Sequence, residues 1–241
     1  MTTYFISDLH LSATRPKTSE VFLRFLENVA AKAEGLYILG DFFEVWLGDD
    51  AADPHQMLII NAVSKLSKQG IPIYFMRGNR DFLIGEDFAK KINCTLLNDP
   101  TVIQLYDKAV VLSHGDKLCT LDKKYQFFRS VIQSRLVKKI LLSLPLFYRQ
   151  KIAKKLREKS PRHGPPPKTR PAFWDVVFED VCQLLEDNKV NMLIHGHTHQ
   201  PKIQDFIFKG ESYKHIILGE WDKTGSVLKI SPDSIELGTV A

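Results

Sequence analysis

The chain has 241 residues, of which 44% are hydrophobic and 25% charged, with a net charge of +5. That is the make-up of a soluble globular protein with room for a substantial core, built as one large domain or as a domain with an insertion. Its three cysteines (Cys94, Cys119, Cys182) lack pairing or zinc-type spacing, its start lacks a signal pattern, and no apolar run reaches the ~18 residues of a bilayer span, which argues against secreted and membrane-spanning classes and for a reducing cytosol.

Thr3–Ser7 is short, apolar and β-prone, which predicts a first buried strand. It runs into Asp8-Leu9-His10. Alternate residues of an extended chain face one way, so Asp8 and His10 share a side. The spacing of Phe22, Leu23, Phe25, Leu26 and Val29 predicts a helix over 19–32, stopped by Gly35. Leu36–Leu39 reads as a second buried strand ending in Gly40-Asp41, where glycine permits a tight turn. An aromatic stretch with Glu44, Asp49 and Asp50 follows, then a helix over 56–69. A third strand, Ile73–Met76, leads into Arg77-Gly78-Asn79-Arg80-Asp81. This alternation predicts an α/β protein whose chemistry collects at the carboxyl ends of strands. A helix is expected over 85–91. Thr101–Tyr106 and Ala109–Leu112 read as a strand pair, followed by Ser113-His114-Gly115-Asp116.

The character then changes. Between Leu121 and Arg170 there are 15 Lys or Arg against two acidic residues, Asp122 and Glu158. The remainder carries 18 basic and 26 acidic residues, so a basic block sits on an acidic body and points to an anionic partner. Two helices are expected there, over 123–143 and 146–159, with an apolar stripe of Val131, Ile132, Leu136, Ile140, Leu141, Leu144, Leu146, Phe147 and Ile152. Five prolines and Gly164 make 160–171 a loop. A helix over 173–187 and a strand over 190–194 precede His195-Gly196-His197-Thr198-His199, and the tail over 207–237 reads as short strands.

Four strand ends and the histidine run thus present Asp8, His10, Asp41, Asn79, His114, His197 and His199. Mixed oxygen and imidazole donors suit Mn²⁺, Fe, Zn²⁺ or Mg²⁺ rather than a soft, thiolate-preferring ion. One ion does not need seven ligands. Two ions sharing a carboxylate do, and such a pair suits hydrolysis at phosphorus.

Taken in order, Asp8-Leu-His10, Gly40-Asp41, Gly78-Asn79-Arg80-Asp81, His114-Gly-Asp116 and Gly196-His197-Thr-His199 resemble the five motifs of the calcineurin-like metallophosphoesterases. The resemblance implies an α/β fold of the αββα sandwich type. It implies that Asp8, His10, Asp41 and His199 hold one ion, that Asp41, Asn79, His114 and His197 hold the other, and that Asp41 bridges them. Asp41, Asn79, Arg80 and His114 become the catalytic group. Most members carry histidine where this chain has Arg80. Arginine cannot act as a general acid near neutrality but clamps phosphate well, so the leaving group must need little protonation.

The wording around the motifs, including Leu36–Asp50, Gly78–Gly85, His114–Thr120 and Leu193–His199, is similar to the UDP-2,3-diacylglucosamine diphosphatase family of lipid A biosynthesis over nearly the whole chain. That similarity implies Mn²⁺-dependent hydrolysis of an acylated UDP-sugar to UMP and 2,3-diacylglucosamine 1-phosphate, by in-line attack of metal-activated water on the α-phosphorus. It implies a core of 1–121 and 172–241 with a helical lid over 122–171, and substrate contacts from Asn79, Arg80, Asp122, Ser160, Lys168 and His197. It also implies a cytoplasmic protein resting on the anionic inner face of the bacterial inner membrane. His195 reads either as a substrate contact or as a neighbouring packing residue, and is not among the ligands. Two other readings remain at this point: a related metallophosphoesterase acting on another nucleotide diphosphate or a phosphodiester, and a nucleic-acid enzyme using the basic block, which leaves the apolar stripe without a role.

Overall fold

The computed structural model of the chain describes residues 1–158 and 174–241. Its order is β1 (Thr3–Ile6), α1 (Pro16–Asn28), β2 (Gly35–Leu39), α2 (Pro54–Lys68), β3 (Ile73–Met76), α3 (Glu86–Ile92), β4 (Cys94–Leu97), β5 (Thr101–Leu105), β6 (Lys108–Ser113), α4 (Lys123–Ile132), α5 (Arg135–Ser143), α6 (Leu146–Glu158), α7 (Phe178–Asn188), β7 (Met192–His195), β8 (Lys202–Phe208), β9 (Glu211–Ile217), β10 (Gly225–Ile230) and β11 (Ile235–Val240). Two sheets form, ordered β11-β10-β1-β2-β3-β4 and β5-β6-β7-β9-β8.

Period-two alternation builds the layers. Phe5, Leu39, Met76, Leu112, Ile194 and Ile216 meet between the two sheets. Ile6, Ile38 and Phe75, one residue out of phase on the same strands of the first sheet, pack against α1, α2 and α3. Val111 and Leu193 of the second sheet pack against Val181 and Leu185 of α7. The result is an αββα sandwich, with helices covering both outer faces. Strands β1 to β4 run parallel, as do β6, β7 and β9. The segments that follow β1, β2, β3, β6 and β7 therefore gather at one end of the molecule.

Several local expectations shift. The first helix ends at Asn28, a 3₁₀ turn occupies Ala30–Lys32, and Gly35 opens β2 instead of stopping the helix. The short strand β4 follows left-handed Asn93 and pairs with β3, a tertiary contact that its four residues do not announce. The single helix expected over 123–143 is two: Ser134 takes an extended conformation and its side chain accepts the Val137 amide, capping α5. The helix expected from 173 begins at Phe178, because the Val177 amide is committed to the Leu118 carbonyl at 2.8 Å. The second helix, expected from 56, starts two residues earlier, with Pro54 in the first turn and a capping box between Asp53 and Gln56. The proline-rich loop expected over 160–171 lies outside the described residues.

Helices α4 to α6 form the basic insertion, and its apolar stripe divides. Leu141 is buried, and Ile132, Leu144 and Ile152 pack on the core that α1 to α3 share. Val131, Leu136, Ile140, Leu146 and Phe147 stay exposed, joined by Phe127 and Tyr148; Leu136 and Phe127 are 70% and 74% accessible. Two polar anchors hold the insertion down. Arg149 of α6 reaches the Leu47 carbonyl and the Asp50 carboxylate. Tyr125 and Arg129 of α4 bind buried Asp116 at 2.8 and 2.6 Å. No described helix is long and apolar enough to cross a membrane.

Candidate metal centre

The loops beyond five strands bring all seven anticipated ligand-type residues into one buried region. Ligand atoms of Asp8, His10 and His199 lie within 4.8 Å of one another, and so do those of Asp41, His114 and His197. Within the first group, His199 Nε2 is 3.3 Å from Asp8 Oδ1 and 3.5 Å from His10 Nε2. Within the second, His114 Nε2 is 3.6 Å from Asp41 Oδ1, and Asn79 Oδ1 lies 3.1 Å from the same nitrogen.

The backbone that delivers these groups is unusual. Asp8, His10, Asp41, His197 and His199 all take positive φ, between 49° and 66°. Side chains seldom adopt this left-handed region, and holding them there costs of order 1 kcal/mol or more each. The cost is met by a dense lattice around them. The Asp8 amide donates to Gly40 O, His10 to Asp41 O and Trp221 to Asp8 O. Asp81 accepts the amides of Gly78 and Phe42, each at 2.7 Å, and so ties the third loop to the second. Glycine is required where these loops cross. At Gly40, with φ +88°, a Cβ would stand 2.6 Å from His114 Nδ1 and 2.7 Å from Gly78. At Gly78 it would fall inside Asp41, and at Gly196 inside Ser7 and Asp8.

Carboxylates and imidazoles are concentrated here and act strongly on one another. Burial pushes the Asp41 carboxyl up to about 7, with the Asp81 and Asp8 charges adding to burial and His114 opposing it. Burial would depress His114, but Asp41, Asp116 and Asp8 outweigh it and raise the imidazole to about 9. His199 likewise rises to about 9, because Asp8 and Glu220 overcome its burial. Burial also works against ionised Asp8, yet the surrounding histidines hold it below the usual carboxylate range. Burial, aided by the His199, Arg80 and Arg15 charges and opposed by Asp8, holds His10 well below its ordinary value.

The donor set fits divalent ions. Asp8 Oδ1 is buried with no hydrogen-bond partner. Carboxylate, amide and imidazole donors converge in two groups, which is the chemistry of Mn²⁺, Zn²⁺ or Fe rather than of a soft ion. Outer partners orient the rings. His114 Nδ1 lies 2.9 Å from Leu39 O, and His199 Nδ1 lies 3.0 Å from Glu220. An N–H directed at such an acceptor leaves Nε2 of each ring to the centre.

The other expected residues separate. The Arg80 amide donates to Asp41 Oδ1 at 2.8 Å, and its guanidinium lies 3.9 Å from Glu44. Asp122 caps α4, accepting the Tyr125 amide at 2.9 Å, so the structure gives it a local task. Ser160 and Lys168 lie outside the described residues. His195 is a packing neighbour: buried in β7, it pairs with His215 at 2.7 Å. Sequence reasoning left Glu220 out altogether and gave Glu44 and Tyr125 no place in the site. Tyr125 stacks on His197 with centroids 6.2 Å apart. None of these three sits inside a ligand motif. The signal that could have found Tyr125 was an aromatic at the start of a helix adjoining His114-Gly-Asp116.

The chain matches the family described as calcineurin-like phosphoesterase over residues 1–201. It is similar to the UDP-2,3-diacylglucosamine hydrolase of Coxiella burnetii strain Dugway 5J108-111, at 50% identity over 237 residues, covering 98% of this chain and 96% of that protein. The protein of the same name from Aeromonas hydrophila is 47% identical over 232 residues, with 96% and 95% covered. That from Pseudomonas putida strain KT2440 is 45% identical over 232 residues, with 96% of each covered. Among solved structures, an archaeal phosphodiesterase aligns over 100% of both chains with a TM-score of 0.51 at 12% identity, a likeness of fold.

Proposed function

The chain belongs to the calcineurin-like phosphoesterase family and is a hydrolase of that family, and from that membership we propose that it cleaves the diphosphate of UDP-2,3-diacylglucosamine, releasing UMP and 2,3-diacylglucosamine 1-phosphate. The observation that carries the reading is the juxtaposition of two buried ligand groups with a basic lid whose outer face is apolar. One part suits a diphosphate and the other suits acyl chains. The proteins named as hydrolases of this substrate share about half of their residues with the chain over nearly its full length.

In this reading Asp8, His10, Asp41 and His199 would hold one divalent ion and Asp41, Asn79, His114 and His197 the other, both Mn²⁺ when the enzyme is active. When bound, such a pair supplies Lewis acidity for the phosphoryl oxygens and an activated water. Asp41, the carboxylate this reading assigns to both ions, would link the two groups. Asn79 and His114 would act on the attacked phosphoryl group through the ion they hold. Arg80, anchored by its own amide to Asp41, clamps the diphosphate. Water adds to the α-phosphorus, the bond to the bridging oxygen breaks, and that oxygen departs with the acylated sugar phosphate. A phosphate leaves without protonation by an acid, which is consistent with arginine at position 80. His197, Asp122, Ser160 and Lys168 complete the substrate contacts.

The core comprises 1–121 and 172–241, and the lid 122–171 covers the acyl chains and rests on the anionic inner face of the bacterial membrane, the protein being cytoplasmic and peripheral. Exposed Phe127, Leu136 and Phe147 among lysines have the composition of an interfacial surface. Leu136→Glu with Phe147→Glu is expected to lower binding to vesicles of anionic lipid by about tenfold or more, each buried apolar side chain contributing about 1.5–3 kcal/mol. Unchanged sedimentation with the vesicles would remove the membrane claim. The substrate claim is tested with Mn²⁺ by comparing UDP-2,3-diacylglucosamine, its deacylated counterpart and an aryl phosphodiester. The acylated substrate should turn over at least about a hundredfold faster, since remote binding energy is used at the reacting centre. Equal rates would point to a related phosphoesterase with another substrate.

A further inference from the structure

Glu44 lies three residues beyond Asp41 and is none of the anticipated ligands. Its backbone is tied to the loop that carries His10: the Leu11 amide donates to Phe42 O at 2.9 Å, and the Glu44 amide donates to Leu11 O at 3.1 Å. This pairing sets a largely buried carboxylate beside the imidazole, with Oε2 3.7 Å from His10 Nδ1. The other oxygen, Oε1, is 2.8 Å from the Arg157 guanidinium and 3.9 Å from that of Arg80. One side chain therefore meets a ligand-type histidine, the arginine beside Asp41, and an arginine in the last turn of α6.

His10 shows why the carboxylate matters. Its Nε2 faces the centre, 3.5 Å from His199 Nε2. Its Nδ1 is buried and has no hydrogen-bond partner. His114 and His199 present the same arrangement, with Nε2 inward and Nδ1 towards an oxygen, supplied by Leu39 and Glu220. Glu44 Oε2, at 3.7 Å and not hydrogen-bonded, stands where the corresponding oxygen for His10 would be. An acceptor at Nδ1 holds the proton there and leaves Nε2 available as a ligand. The same negative charge lets two guanidiniums, which repel one another, stand side by side at the edge of the centre. Arg157 remains 43% accessible, so an incoming anion can reach it.

We propose that Glu44 is a positioning residue that ties the His10 end of the metal centre to Arg80 and to Arg157 of the lid, coupling ion occupancy to anion binding through one carboxylate. The proposal rests on the two-ion reading of the site given above. Glu44→Gln preserves shape while removing the charge that pairs with Arg157, and Arg157→Ala removes the lid partner. Each variant of the full chain, with their double mutant, is titrated with Mn²⁺ by calorimetry and assayed with UDP-2,3-diacylglucosamine, with melting temperature as the check on folding.

Glu44→Gln is expected to weaken Mn²⁺ binding at one of two sites by about tenfold or more. Arg157→Ala should leave Mn²⁺ affinity within about twofold. Each single variant should lower kcat/KM by about tenfold, and the double variant no further than Glu44→Gln alone, as members of one network do. Glu44→Gln with Mn²⁺ affinity within about twofold of wild type, or single effects that multiply in the double variant, would overturn the proposal. A wild-type chain that fails to bind Mn²⁺ would overturn the two-ion reading, and this proposal with it.

Discussion

Asp41→Asn is expected to reduce turnover of every phosphorus substrate by about a thousandfold or more, which is the upper range for deleting one group that stabilises charge at a reacting centre. Asparagine is the informative replacement. Residue 41 takes φ 51°, a conformation that asparagine tolerates better than alanine, and the Oδ1 that accepts the Arg80 amide is retained. The substitution therefore removes charge and leaves the loop in place. That charge is what two ions would share, and burial makes its uncompensated form costly: the carboxyl rises to about 7 while His114 rises to about 9. Stopped assays at saturating Mn²⁺ measure the loss, and calorimetry should show weaker ion binding in parallel. A variant that retains more than about a tenth of wild-type activity would remove Asp41 from its place between the two ligand groups.

Gly196→Ala should be damaging for a different reason. No positive φ is required at this position, so backbone freedom is not the issue; a methyl group there would overlap Ser7 Oγ and Asp8 Oδ2. The Asp8 carboxylate is fixed by the Ser7 hydroxyl at 2.6 Å and by the His197 amide at 2.8 Å, and both contacts pass the glycine. Overpacking of this kind costs about 1–3 kcal/mol, which for a chain of this size lowers Tm by roughly 2–12 °C. Displacing Asp8 by an ångström should add about a hundredfold loss in kcat. Gly238→Ala is the control, because nothing lies within 4 Å of its added Cβ and its φ is ordinary. Equal Tm and activity for Gly196→Ala and Gly238→Ala would show that the loops around Asp8 are not packed as described.

The contrast between these two sites marks how much was legible in the chain beforehand. The short apolar runs Thr3–Ser7, Leu36–Leu39 and Ile73–Met76 announced buried strands, and the polar words after them announced which ends carry chemistry. Their ligand-type residues were readable because donor chemistry is written in residue identity. The left-handed backbone at Asp8, His10, Asp41, His197 and His199 was not readable. Aspartate and histidine enter that region more readily than most side chains, but what fixes it at these five positions is hydrogen bonding between loops far apart in sequence. Glu220 and Glu44 were missed for a related reason, since each lies beside a histidine brought to it by another loop. In the lid, spacing could identify an apolar stripe but not which members face the core. Leu141 packs inward and Leu136 faces outward because of where α5 sits, not because of their chemistry.

Hydrolysis of UDP-2,3-diacylglucosamine by the Mn²⁺-loaded chain in ¹⁸O-labelled water tests the whole account most directly. Attack at the α-phosphorus places the label in UMP and leaves the released 2,3-diacylglucosamine 1-phosphate unlabelled. Label in the sugar phosphate, or an intact diphosphate under conditions where a simple phosphodiester is hydrolysed, would contradict it.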